Sequence, residues 1–96
     1  MLYLSEDAEL IRSMLDKAVG VPGDSELLFL LYAVLMRAKG VDTTAADVHD
    51  AWVAWMQLSD PAHPALVPYD VLDPEIKEQD APFVQAIRRA ARIQGG

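Results

Sequence analysis

The chain has 96 residues, of which 52% are hydrophobic, with fifteen acids against eight bases and a formal net charge of −7. That much apolar content excludes a disordered chain, and so negative a surface opposes a phosphate backbone, so nucleic acid is not an expected partner. There is no cysteine, which excludes disulfides, thiolate metal ligands and a cysteine nucleophile. A chain of this size buries roughly 60–65% of its unfolded surface, enough for one domain with one core but not for a separate deep catalytic cleft. The first residues, MLYLSEDAEL, carry early acids and no basic n-region. No signal peptide is expected, and the cytoplasm is the expected compartment.

Ser5 is the expected N-cap of a first helix, with Glu6, Asp7 and Glu9 in its opening turn and Leu10, Ile11, Met14, Leu15 and Val19 at helical spacing. Gly20, Pro22 and Gly23 end it. Asp24 or Ser25 then caps LLFLLYAVLM, residues 27–36. This run has half the length a membrane span needs, and it reads as the central core helix. Lys39-Gly40 is its C-cap signal. In DTTAADVHDAWVAWMQL, Thr44 and Asp47 form a capping box with Asp in place of Glu, and Val48, Ala51, Trp52 and Trp55 share a face. Asp60-Pro61 ends that third helix.

Prolines 61, 64 and 68 then forbid regular helix, and Leu66-Val67 is the one place where a strand is conceivable. Asp73-Pro74 reads as an N-cap and first helical residue of a short acidic helix. Asp80 and Pro82 restart the chain into a last helix bearing Phe83, Val84, Ile87, Ala91 and Ile93. The expectation is one all-α domain over residues 1–96, a bundle of four to five helices with a proline-rich extended loop.

Chemistry is sparse. His49 and His63 are the only histidines, and neither belongs to a His-Glu-x-x-His pattern. Ser13, Ser25 and Ser59 sit in helix or cap contexts, and no glycine-rich phosphate loop is present. No enzyme, metal or cofactor is expected. Arg88, Arg89 and Arg92 fall near the end of the last helix, where cations complement its dipole or could meet an anion. Trp52 and Trp55 read as core residues, or as a stacking platform or partner hot spot.

VHDAWVAW followed by HPALVPYDVLDPEIKEQDAPFVQAI resembles the ryanodine-receptor repeat domain, a small helical module also found in bacterial and phage proteins. His49 and Trp52 fall on its His-x-x-Trp element. His63, Pro64, Leu66, Val67, Pro68 and Tyr69 fall on its His-Pro-x-Leu-Val-Pro-Tyr loop, and Leu72, Glu78 and Asp80 on its turn and charged helix. The resemblance covers residues 48–96, leaving 1–44 as additional N-terminal helices. The family's Gly-Trp-x-Tyr-Gly hairpin is absent, and Leu58 to Ala62 stand in its place. The resemblance implies a clamp, in which Leu66 and Val67 plug the core while Tyr69 folds back.

Two functions follow as expectations. The first is a non-enzymatic module that binds a protein partner, or itself as a homodimer, through apolar surface on the 27–36 helix, in a phage-encoded and host-directed setting. A phage structural or host-takeover protein without any ligand is a distant variant. The second, implied by bacterial relatives of the repeat in conflict systems, is a binder of a nucleotide-derived ligand. There Trp52, Trp55 or Tyr69 would stack the base and Arg88, Arg89 or Arg92 would meet phosphate. His49 and His63 complete the candidate binding residues.

Overall fold

Helix α1 of a computed structural model, which describes residues 2–95, spans Tyr3–Ser13. It starts ahead of Ser5, with Leu2 as an N-cap that supplies no side-chain bond. It also stops well short of Val19. The Asp16 carboxylate accepts from the Ala18 N–H at 2.9 Å, and the Asp16 carbonyl accepts from Val19 N–H at 3.0 Å. A short acidic side chain thus offers the backbone a turn that competes with the helix. The following loop reaches Asp24, which adopts a left-handed φ of 55° before α2.

Helix α2 spans Glu26–Lys39, and Gly40 ends it at φ 56°, ψ −126°, a conformation that disfavours any residue with a Cβ. Thr43 closes the turn that follows by donating its hydroxyl to the Gly40 carbonyl at 2.7 Å. Helix α3 spans Ala45–Met56, and the Thr44/Asp47 capping box forms in both directions. Residues 57–73 make an irregular segment with one short 3-10 turn at Tyr69–Val71, and Leu66-Val67 is not a strand. Pro74 opens α4, Pro74–Lys77, as the sequence predicts. The last helix starts directly after Asp80, as expected. A 3-10 turn, Glu78–Asp80, runs into α5, Ala81–Gly95, with Lys77, Glu78 and Ala81 all right-handed helical. The fold is all-α.

Helix α2 is the hub. Leu28, Phe29, Tyr32, Ala33 and Met36 on its inner face are buried against Ile11 of α1, Val48 of α3 and Val84, Ile87 and Ala90 of α5. Each large side chain so buried contributes about 1.5–3 kcal/mol. Phe29 meets Tyr32 edge-on at 5.4 Å, and Tyr32 lies 5.7 Å from Phe83. Asp7, 1% exposed, joins three helices by accepting from Arg37 of α2 at 2.7 Å and from the Gln94 amide of α5. The radius of gyration is 12.8 Å, the value of a single folded body of this length. The outer face of α2 is less covered, with Leu27 44% and Val34 50% exposed.

The proline-rich segment does clamp the helices, but not with the expected residues. Val67 lies at the surface and Leu66 is only half-buried, whereas Leu72, just after the 3-10 turn, is 7% exposed. The expected extended loop is instead two successive turns, closed by the His63 N–H on the Asp60 carbonyl at 3.1 Å and the Leu66 N–H on the His63 carbonyl at 3.2 Å. It turns the Val67 carbonyl, rather than the side chain, towards α3.

Candidate functional site

His49 and Trp52 lie three residues apart on α3 and so share a face. Their rings stack at 5.7 Å with 22° between planes. His49 is buried, and its Nε2 sits 2.7 Å from the Val67 carbonyl oxygen. A carbonyl only accepts, so Nε2 carries the proton and donates. His63 meets the Trp52 ring edge-on at 5.1 Å, and its Nδ1 accepts from the Ala65 N–H at 3.0 Å. A neutral His63 therefore carries its proton on Nε2. Tyr69 packs 6.2 Å from His49, with the Lys77 ammonium 5.2 Å from the Tyr69 ring centre. The two histidines thus hold the proline-rich segment against α3, and the prolines reduce the entropy lost in ordering it.

Beneath this clamp opens a cleft of about 510 Å³, walled by Tyr32 of α2, His49 and Trp52 of α3, His63 of the clamp and Phe83 of α5. Val19, Gly20 and Pro22 of the loop after α1 form part of its rim, and Ile76 and Asp80 close it from the α4–α5 junction. Burial pushes the Asp80 carboxyl up from 3.8 to about 6, partly offset by the nearby His49. Burial and the charge of Asp80 likewise push the Tyr32 phenol above its usual range. No lysine or arginine lines the cleft. Among the described residues the ion pairs are Asp7–Arg37 and Asp47–Lys39, and Asp80 belongs to neither.

Of the residues expected to form a site, His49, Trp52, His63 and Tyr69 are brought together. Trp55 is not. It lines a separate groove between α2 and α3 with Leu27 and Leu58, so the two tryptophans do not form one platform. The arginines are elsewhere. Arg88 donates its Nε–H to the Thr43 carbonyl at 2.9 Å, tying α5 to the α2–α3 turn, while Arg89 and Arg92 are exposed. Helical geometry dictates this, since Arg88 and Arg92 are turned about 140° and 180° from Phe83 around the axis of α5. Stacked rings and phosphate-meeting arginines are therefore not assembled into one site.

Tyr32, Phe83 and Asp80 are not among the residues that the sequence marks as a site. Clamp, α2 and the α4–α5 junction meet at an angle that their side chains do not fill. One legible sign existed, a tyrosine hydroxyl in an otherwise hydrocarbon helix, which needs a polar outlet. Among the described residues no three of His, Cys, Asp and Glu are grouped to hold a metal ion, and no helix is long and apolar enough to cross a membrane. No curated protein and no solved structure matches the chain. The family model described as Domain of unknown function (DUF7701) matches residues 2–92, spanning both the N-terminal helices and the clamp, and the chain belongs to that family.

Proposed function

We propose that this chain is a non-enzymatic binding module whose recognition site is the cleft beneath the clamp, accepting the flat ring of a small molecule. The observation that carries this is the cleft itself: about 510 Å³, walled by Tyr32, Trp52, Phe83, His49 and His63, with Gln79 and one carboxylate, Asp80, which has no ion-pair partner among the described residues. A concave, mostly apolar site with few polar groups is the usual form of a small-ligand site. The lining holds no serine, threonine or lysine to act as a nucleophile. His49 Nε2 and His63 Nδ1 are already engaged by the backbone. The clamp that resembles the ryanodine-receptor repeat forms one side of the cleft, which supports a ligand of nucleotide-derived or similar planar type. With no cation in the lining, the ring and not the phosphate is what the cleft would recognise.

The test uses a Trp55→Phe variant, whose fluorescence reports on Trp52 alone. It is titrated with nucleosides, nucleotides and simple aromatic amides and amines while the melting temperature is followed. A planar compound should change the emission and raise the melting temperature, with no gain from added phosphates. A panel that moves neither quantity overturns the proposal.

A second reading rests on the outer α2–α3 face, where Leu27, Val34 and Leu58 are 44%, 50% and 69% exposed. That face would bind a protein partner or a second copy, since one patch can serve both halves of a symmetric dimer. Light scattering at tens of micromolar should then give a dimer, and a strict 10.6 kDa monomer overturns self-association.

A further inference from the structure

The chemistry of the cleft narrows its ligand, given the binding role proposed above. We infer that it takes an organic cation, a protonated amine or amidine on a flat apolar body, with the charge against Asp80 and the body against the rings of Trp52 and Phe83.

Asp80 is the starting point. It is half-buried in the lining and has neither a counter-ion nor a side-chain hydrogen bond among the described residues. A half-buried carboxylate that faces a cavity without a counter-ion is partly stripped of water and favours a nearby positive group. Helix capping does not account for it. Asp80 stands one residue before α5, but the backbone is already helical through Lys77, Glu78 and Ala81, and its side chain caps nothing. The walls agree with the floor, because the half-buried Trp52 and Phe83 present ring surface, which attracts cations electrostatically, with the buried Tyr32 behind them. A volume of about 510 Å³ suits a compact ring with one charged substituent. The net charge of −7 raises the local concentration of cations around the whole molecule.

Acid should weaken such binding for identifiable reasons. Asp80 is pushed up to about 6 by burial, so it takes on a proton just below neutrality. His49 of α3 and His63 of the clamp face the same space, and any charge they gain also opposes a cation. Tyr32 from α2 stays neutral throughout, Lys77 of α4 lies over Tyr69 outside the lining, and the loop after α1 contributes no titratable group to the lining.

The experiment is calorimetry on the full chain with three probes of one shape: benzamidinium, neutral benzamide and anionic benzoate. At about pH 7.5 benzamidinium should bind about tenfold or more tighter than benzamide, as one charge-assisted contact provides, with benzoate weakest. In Asp80→Asn, whose melting curve shows that it folds, that ratio should shrink to about twofold or less. In the unmodified chain the ratio should also fall as the pH is lowered to about 5. Equal affinity for benzamide and benzamidinium, a ratio that survives Asp80→Asn, or one indifferent to pH overturns the cation assignment while leaving the cleft a binding site. Absence of binding by all three overturns the binding role as well.

Discussion

Replacing Asp80 by Asn should make the protein more stable near neutral pH. Burial raises the folded-state value of this carboxyl from 3.8 to about 6. An acid in that position holds its proton more tightly folded than unfolded. Its charge therefore costs nothing below about pH 4, costs progressively more as pH rises through the interval, and costs the full amount above about pH 6. The displacement corresponds to at most about 3 kcal/mol. Asp80 is only half-buried, and solvent screening cuts this to about 1–1.5 kcal/mol. Asn keeps the shape and removes the charge, so at about pH 7.5 the variant should gain about 1–1.5 kcal/mol, or roughly 5–10 °C in melting temperature. At about pH 4 the gain should vanish. Urea unfolding of both proteins across that pH range measures the difference directly, and other carboxylates cancel from it. A variant no more stable than the parent at neutral pH, or one whose gain is the same in acid, would refute the reasoning. Stability surrendered at a single residue is what a binding site is expected to cost its fold.

Other substitutions test the frame. Thr44→Ala removes a capping box formed in both directions and should cost about 1 kcal/mol. Ser25→Ala, at the N-cap of α2, should cost nothing or stabilise by up to about 1 kcal/mol, because the Ser25 hydroxyl is buried with no partner. Equal losses in the two variants by chemical denaturation would contradict both assignments. Gly40→Ala should cost about 1–3 kcal/mol through backbone strain at φ 56°, since the nearest atom to an added Cβ, on Ala91, is 3.9 Å away and does not clash. Unchanged unfolding would mean that the turn relaxes freely. Trp52→Ala should cost about 2–3 kcal/mol, less than a fully enclosed tryptophan, because one side of the ring faces the cleft. A melting temperature within a degree of the parent would place the ring outside the core.

Much of the fold was legible because its signals are local. Thr44 with Asp47, Lys39-Gly40 and Asp73-Pro74 each announce a helix boundary within four residues, and each boundary falls where expected. The pairing of His49 and Trp52 with the proline segment was legible through a motif. The errors have local causes too. Asp16 ends α1 early by offering its own turn, a choice that apolar spacing through Val19 conceals. The restart at Asp80 and Pro82 is by contrast where expected, since α5 begins at Ala81 with Pro82 in its first turn, where proline is tolerated. The cleft was illegible for a different reason. Tyr32, Trp52, Asp80 and Phe83 come from three parts of the chain, and only the angle between α2, α3 and α5 makes them neighbours. The arginines show the converse, since closeness in sequence to Phe83 put them on the far side of its helix.

The two tryptophans offer the most direct measurement of the central claim. Trp52 lines the cleft and Trp55 lines the groove between α2 and α3, so their indole N–H signals in a two-dimensional NMR spectrum report on two different surfaces. With benzamidinium added to the full chain, the Trp52 indole signal should move and the Trp55 signal should stay. Movement of Trp55 alone, or of neither, would contradict the account.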